Sequence, residues 1–520
     1  MQIYSFSPFG YEGNLVTVEV DLKRGIPAID MVGLADGAVK ESRERMKSAI
    51  RNSGFEFPVE RVLISLSPAD LKKEGAGFDL PVALAVLCAS NQNEDSAENS
   101  KMLDFPIMSM GELELSGTLR PVRAIHAAVS TARASGISHC IVPAANASEA
   151  REVSGMKVFG AENLREAFSA MFNPELFVQA GKEQHSESIP ENSEKIEGVD
   201  FPQVIPGSGF EEIFGQENLV RALQIAAAGA HNILAFGPPG CGKTLAMQRF
   251  SSLLPLLTLE EAQSTTRIYS IAGLLSPAEP LVRTPPFRFP HQSSTLEGIC
   301  GGGPNCRPGE ISLAHNGVLF LDEAAEFRTS VLQMLRVPLE SGAITLSRAG
   351  RSTVFPAKFQ LLMASNPCPC GNFGSATKLC LCSSRSIENY WKKFSAPLLD
   401  RIDLRIKVDL ADEEDFAPKQ NYSTALLRQK IAIATKIQRE RQGIKNARLK
   451  PEQIREICVC TEEARKMLEN AITRHDFSPR ASAACYKVAR TIADMEASEK
   501  ISAEHMAEAI DLRKFESVFS

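Results

Sequence analysis

Gly237-Pro-Pro-Gly-Cys-Gly-Lys-Thr244 follows the apolar run Asn232-Ile-Leu-Ala-Phe236 and precedes a helix-like stretch from Leu245. Strand, glycine-rich turn and helix in that order make a phosphate-binding P-loop. Gly237, Gly240 and Gly242 let backbone N–H groups close around phosphates, with Pro238, Pro239 and Cys241 completing the loop. Lys243 reaches the β and γ phosphates and the Thr244 hydroxyl holds magnesium. The spacing therefore predicts a site for ATP and Mg2+.

Working outward, Gly317-Val-Leu-Phe-Leu-Asp-Glu323 is a short apolar run ending in two acids, as expected of a buried parallel strand. Ligands of open α/β sheets sit at the carboxyl ends of strands, so Asp322 is expected to face the magnesium and Glu323 to polarise the attacking water. A third strand-like run, Phe359-Gln-Leu-Leu-Met-Ala-Ser-Asn366, ends in a polar residue able to bond the γ phosphate or the water. Asn366 then resembles the sensor-1 residue of AAA+ ATPases. Pro397-Leu-Leu-Asp-Arg-Ile-Asp403 and Ser478-Pro-Arg-Ala481 resemble that superfamily's arginine-finger and sensor-2 motifs. The resemblance makes Arg401 and Arg480 the charges expected to stabilise the transferring phosphoryl group. A finger acting in trans implies a ring of identical chains, usually a hexamer.

At 520 residues the chain exceeds what one core normally organises, so two to four domains are expected. No run of eighteen apolar residues appears, and Met1-Gln-Ile-Tyr-Ser-Phe6 lacks a basic segment followed by an apolar one. The reading is a cytoplasmic chain with no membrane partner. A net charge of −6 argues against indiscriminate nucleic-acid binding by the whole surface, while leaving room for a local basic channel.

Punctuation divides the chain into residues 1–178, 179–205, 206–415 and 416–520. The first part mixes strands (Leu15 to Val20, Val62 to Leu66) with an apolar helix near Leu80 to Cys88. Between Gly181 and Asp200 there are six acids, two lysines and no aromatic residue, which reads as an acidic flexible linker. Residues 206–415 carry the ATPase motifs in α/β order. From Asn421 onward the pattern is helical and predicts an all-α lid, ending in a helix around Ala503 to Phe515.

The near-unbroken string Pro308-Gly-Glu-Ile-Ser-Leu-Ala-His-Asn-Gly-Val-Leu-Phe-Leu-Asp-Glu323 resembles the magnesium-chelatase-like AAA+ family. Ala222 to Gly229, Pro286-Phe-Arg-Phe-Pro-His291 and Asn366-Pro-Cys-Pro-Cys-Gly371 carry the same resemblance, which spans nearly the whole chain. It implies a hexameric ATP-hydrolysing motor with a helical lid. For the recombination branch of the family it implies branch migration of DNA junctions during homologous recombination and natural transformation, on branched or single-stranded DNA. Ala324-Ala-Glu-Phe327 stands where Leu-Pro-Glu-Phe is commoner, a departure beyond the acids.

The amino-terminal part resembles the Lon-protease-like, ribosomal S5-type α+β fold through Lys73-Glu-Gly-Ala-Gly-Phe-Asp-Leu80 and Gly111-Glu-Leu-Glu-Leu-Ser-Gly117. A serine–lysine peptidase needs a hydroxyl and an amine within hydrogen-bond reach. Aligning those stretches puts Gly77 and His126 in their places, so peptidase activity is not expected. Two other functions stay open: the ATPase subunit of a magnesium or cobalt chelatase acting in tetrapyrrole metal insertion, and a non-catalytic ring whose nucleotide only controls assembly. Intact Glu323 and Arg401 speak against the latter.

Twelve cysteines in a cytosolic chain read as thiols or metal ligands. Cys368-Pro-Cys370 and Cys380-Leu-Cys382 could present four thiolates to zinc, or remain reduced loop thiols. Cys300 and Cys306 could form a further pair, and Cys241 is an oxidation-sensitive spot. Ile344 to Phe355 reads as a β-hairpin with Gly350 near its tip and Arg348 and Arg351 beside it, where helicase-like relatives carry a pre-sensor hairpin. These arginines could track DNA phosphates, or be incidental charges on a solvated hairpin. Arg283 to Pro308 could form another pore loop. Arg428 to Lys450 carries eight basic residues against one acid, Glu440, and reads as a solvated helix face or a phosphate-facing stripe.

Overall fold

The computed structural model describes residues 2–33, 37–71, 73, 75–91, 103–179, 190, 192–303, 306–348, 351–374, 378–410 and 422–514, apart from the side chains of 38–40 and 348. Among them, the amino-terminal part forms one sheet. Its strands are β1 (Ile3–Ser7), β2 (Asn14–Lys23), β3 (Ile29–Val32), β4 (Arg61–Ser67), β5 (Ile107–Ser109), β6 (His139–Pro143), β7 (Lys157–Ala161) and β8 (Val178–Gln179), in the order β8-β7-β6-β5-β1-β2-β4-β3. In β2, Val16 and Val18 are buried while Glu19 is exposed, the two-residue period of a sheet with one covered face. Helix α1 (Gly37–Asn52) packs on α2 (Asp79–Asn91), whose residues from Asp79 to Cys88 are all buried. A helix apolar all round must thread a core rather than float on it. Its one buried carboxylate, Asp79, is held by Arg45 of α1 at 3.0 and 3.2 Å.

The expected linker of 179–205 needs correction over its second half. Residues β9 (Ser193–Ile196) and β10 (Val199–Pro202) pair antiparallel. Val199 and Phe201 are buried in the same apolar cluster as the ATPase core. Acidic Glu194 and Glu197 point outward while the alternate positions anchor the hairpin, so mean polarity concealed a period of two.

The ATPase core is a parallel sheet of β11 (Ile233–Phe236), β12 (Phe287–Arg288), β13 (Val318–Leu321), β16 (Gln360–Ser365) and β17 (Leu404–Lys407), in the order β12-β13-β16-β11-β17. Between β13 and β16 lies the hairpin β14 (Ala343–Arg348) and β15 (Arg351–Pro356). Ile233, Ala235, Val318, Phe320, Leu362 and Ala364 pack to one side, with α4 (Glu217–Gly229). Leu234, Phe236, Leu319, Leu321, Leu361 and Met363 pack to the other. Burial on both faces is why these strands read as unbroken apolar runs. Phe287 and Arg288 form the edge strand, so Arg283 to Pro308 is partly sheet rather than wholly a pore loop. Helices α5 (Lys243–Gln248) and α7 (Ser384–Lys392) pack on the sheet, while α6 (Leu259–Ala272) bonds through Ser264 to His315, just ahead of β13.

The carboxyl-terminal part is helical among its described residues: α8 (Thr424–Arg441), α9 (Pro451–Ile457), α10 (Glu462–His475), α11 (Pro479–Met495) and α12 (Ala503–Arg513). Asn421, Gly350 and Phe515 lie outside the described residues. Among the described residues the lid shares its apolar core with the sheet. Ile431, Ala434, Val488, Ile492 and Ile510 join Phe201, Leu223 and Phe250 in one cluster. Several cations of 428–450 also turn inward, against both sequence readings. Arg428 is fully buried, donating to the carbonyls of Ser252 (2.7 Å) and Pro202 (2.8 Å) and lying over the Phe201 ring at 5.1 Å. Arg441 chelates buried Asp494 at 2.8 Å through both nitrogens, and Arg448 donates to the Lys358 carbonyl at 2.7 Å. Backbone carbonyls and the carboxylates of Glu194 and Asp494 receive these charges. No helix among the described residues is long and apolar enough to cross a membrane.

Polar contacts seat the amino-terminal domain on α6, which starts in a capping box between Thr258 and Glu261. His126, at the start of helix α3 (Ile125–Ala134), bonds Gln263 at 2.7 Å, and burial pushes its imidazole down to about 4. Glu149 accepts from Ser270 at 2.5 Å and from the His126 N–H at 2.9 Å. Arg267, 13% exposed, donates to the carbonyls of Tyr11 and Glu12 at 2.9 Å each and to the Thr131 hydroxyl at 3.0 Å, with its guanidinium 4.9 Å from the Tyr11 ring. We expect Arg267→Ala to cost roughly 2–3 kcal/mol, the range for a charged group losing several partners. The readout is the midpoint of denaturant unfolding together with the rate of proteolysis between the domains. An unchanged midpoint and unchanged cleavage would mean that the contact contributes nothing net.

Candidate active site

Three neighbouring strands deliver the phosphate chemistry to one sheet edge. Phe236 pairs with Ser365, and Leu321 with Met363, so the P-loop, Asp322 and Asn366 all emerge at the carboxyl ends of β11, β13 and β16. The Gly237 N–H donates to the Ser365 carbonyl at 3.2 Å, tying the loop's start to the central strand. A β-carbon at Gly237 would lie 1.9 Å from the Val408 carbonyl oxygen, so only glycine fits there. Gly240 and Gly242 have φ of +85° and +83°, the left-handed backbone that turns the loop into α5.

Lys243 is buried and donates to the carbonyls of Gly237 (2.7 Å) and Pro238 (2.8 Å) and to Cys241 Sγ (3.3 Å). These contacts hold the ammonium at the mouth of the loop. The Thr244 hydroxyl donates to Asp322 Oδ2 at 2.9 Å, which puts the two residues expected to hold magnesium in direct contact. Asp322 Oδ1 accepts the Glu323 N–H at 2.9 Å. Glu323 itself adopts φ 47° and ψ 46° with an exposed carboxylate. Left-handed backbone at a non-glycine residue costs of order 1–3 kcal/mol and gathers at functional sites. A hydroxyl, an acid and a lysine converging on a glycine loop fit Mg2+ and a triphosphate. Glu323 beside them is placed to orient water, and half-buried Asn366 adds an amide at the next strand end.

Arg401 and Arg480 meet at the opposite edge. Asn232 donates through Nδ2 to the Arg401 carbonyl at 3.0 Å, and Ile233 pairs with Leu404, so Arg401 lies by the amino ends of β11 and β17. Five residue steps from Asn232 to Gly237, at about 3.3 Å each, separate the two ends by roughly 16 Å. Glu340 unites the two arginines, accepting from Arg401 on one oxygen and from Arg480 on the other at 2.9 Å. The Arg401 hydrogen bond, aided by Arg480, holds the Glu340 carboxyl below its ordinary value. No motif marked Glu340 in the sequence.

The cysteine cluster follows Asn366 directly. Cys368 Sγ lies 3.3 Å from Cys370 Sγ and 3.7 Å from Cys380 Sγ, and all four sulfurs including that of Cys382 fall within 4.8 Å of one another. None of the four is in a disulfide. A backbone N–H from Asn372, with Cys368 beside it, holds the Cys370 thiol down to about 6. Cys300 and Cys306 are both buried, and burial pushes Cys300 up to about 11.

In the hairpin, Arg348 pairs with Arg351 in register, and the Arg348 side chain lies outside the described residues. Arg351 is stacked on Phe9 of the amino-terminal domain, 3.5 Å from the ring centroid. Next to it the Tyr11 N–H donates to the Thr353 hydroxyl at 3.1 Å. The sequence reading missed this contact, since nothing in either segment announces the other.

The chain matches the family described as Magnesium chelatase, subunit ChlI, over residues 209–416, with Subunit ChlI of Mg-chelatase at 18–146 and the ChlI C-terminal region at 421–513. It is 38% identical to Competence protein ComM of Haemophilus influenzae over 98% of this chain and 97% of that protein. It is 37% identical to YifB of Salmonella typhimurium, an uncharacterized protein, over 98% and 96%. Similarity to the Magnesium-chelatase 38 kDa subunit of Cereibacter sphaeroides is 26% over 30% of this chain and 52% of that one.

The geometry gives a graded expectation. Lys243→Ala should abolish nucleotide binding, whereas Glu323→Gln should bind ATP and turn it over about a hundred- to a thousand-fold more slowly, roughly 3–4 kcal/mol of barrier. Phosphate release and nucleotide titration read the two effects separately. Undiminished turnover in Glu323→Gln would remove that carboxylate from the mechanism.

Proposed function

This chain belongs to the magnesium-chelatase-like ComM/YifB family of AAA+ proteins, and from that membership we propose that it is an ATP-hydrolysing ring motor that moves DNA junctions in recombination. The observation that carries the ring is the split between the two sheet edges. Thr244, Asp322, Glu323 and Asn366 gather at one, and Arg401 with Arg480 at the other, too far to serve the same nucleotide. A neighbouring copy, six in a closed ring, would bring that arginine pair to the phosphates. Mg2+ at Thr244 and Asp322 would screen the phosphate charge, and Glu323 would take the attacking water's proton.

The full-length likeness to a competence protein supports DNA, branched or single-stranded, as the partner, and natural transformation as the setting. The hairpin supplies Arg348 and Arg351 for phosphate contact. Arg351 then has to exchange the Phe9 ring for DNA, which makes the amino-terminal domain part of the switch. We read that domain as ring organiser rather than peptidase, since His126 is committed to Gln263. A cytoplasmic location follows from the DNA substrate. The four cysteines are read as a structural zinc site, one ion per chain. The second reading, a chelatase motor in tetrapyrrole metal insertion, draws on the partial likeness to the 38 kDa subunit.

Because the DNA contacts are to phosphates, affinity should fall steeply with salt. Arg348→Ala with Arg351→Ala should shallow the slope by about two contacts per engaged hairpin, removing DNA stimulation while basal hydrolysis survives. Salt-dependent binding and migration of a labelled three- or four-strand junction measure this. A purified ring that ignores junctions while its ATPase responds to chelatase partner subunits would overturn the DNA reading in favour of the second.

A further inference from the structure

We infer that the four-cysteine knuckle is a clasp for the nucleotide site: metal held there fixes the turn Cys368 to Gly371 against the P-loop and thereby sets the rate of ATP hydrolysis. The inference rests on the zinc reading proposed above and extends it from a local staple to control of the adjacent chemistry.

The sulfur geometry comes first. Four thiolates about 2.3 Å from one zinc ion sit about 3.8 Å apart at the corners of a tetrahedron. The separations of 3.3, 3.6 and 3.7 Å among Cys368, Cys370 and Cys380 lie close to that figure and far outside disulfide length. The Phe373 N–H donates to Cys368 Sγ at 3.4 Å and the Gly371 N–H to the Cys368 carbonyl at 2.9 Å. The first stabilises a bound thiolate, and the second closes the turn that presents it.

The turn's outer side then meets the active site. Gly371 has φ +77°, and a β-carbon there would lie 2.8 Å from Pro239 Cδ of the P-loop and 3.9 Å from Asn366 Cγ. The turn thus lies against the loop that holds phosphate and beside the amide expected to sense it. One residue before Cys368, the Pro367 carbonyl accepts the Trp391 Nε1–H at 3.0 Å. The Trp391 ring packs edge-on to Phe236 at 5.6 Å, immediately before Gly237. The clasp, Trp391 and the P-loop strand form one contiguous unit. The second cysteine pair is held less firmly than the first: Leu379 and Leu381 around Cys380 are 80% and 85% exposed, and Cys380 and Cys382 are half-buried at the margin of the cluster that encloses Cys368. The metal is therefore what closes the knuckle onto its buried half, while the sheet beneath is secured by its own apolar clusters.

Trp391 is the chain's single tryptophan, so its emission reports on the clasp without reference to activity. The experiment uses the full chain. Metal content is measured by elemental analysis, Trp391 emission is followed during chelation and Zn2+ add-back, and kcat is separated from nucleotide affinity. Cys380→Ser should lose the metal, shift the emission and lower kcat at least tenfold, with nucleotide affinity changed less than threefold. Gly371→Ala should keep one metal per chain and still lower kcat, because its methyl displaces Pro239. A chain with no metal overturns the zinc reading and the clasp with it. Metal lost from Cys380→Ser with kcat unchanged leaves the zinc reading standing and overturns the clasp. Should Cys380→Ser fail to fold, Gly371→Ala decides: full metal with wild-type kcat overturns the clasp.

Discussion

Strand β16 lies between the P-loop strand and the acid-bearing strand, and the pairing of Phe236 with Ser365 and Leu321 with Met363 fixes where all three end. A one-residue slip in either register would turn buried leucines toward the wrong layer, since each strand packs apolar residues on both faces. The site's geometry is therefore a by-product of core packing. Thr244 reaches Asp322 across 78 residues of sequence because two apolar registers agree.

Much of this was legible. The P-loop, the Asp-Glu strand and the Asn366 strand are local patterns with a fixed mechanism, and local patterns survive folding unchanged. The hairpin of Ile344 to Phe355 was legible for the same reason. What escaped depends on partners distant in sequence. The hairpin of Ser193 to Pro202 looked like linker because two buried residues carry it among many acids. The inward turn of Arg428 is decided by carbonyls 176 and 226 residues away, which composition cannot reveal. Glu340 is an ordinary glutamate until Arg401 and Arg480 fold onto it.

Among the described residues, the amino-terminal domain meets the ATPase core through contacts of different character. Around Glu149, His126 and Arg267 the contact is polar, bonded and enclosed. At the hairpin it is a ring and a hydroxyl meeting Arg351 and Thr353. The first fixes the domain on α6, and the second lets it feel the hairpin, so the domain has a mechanical reason to be fused here.

The absence of a boundary between the apolar core of the sheet and that of the lid, among the described residues, has a consequence for movement. Swinging α11 away from α4 would expose Val488, Ile492 and Leu223 to water at about 25 cal/mol per Å2, and would strip Arg428 and Arg448 from their carbonyls. That shared cluster couples sheet and lid like a spoke to its hub, so any movement between them has to meet this cost.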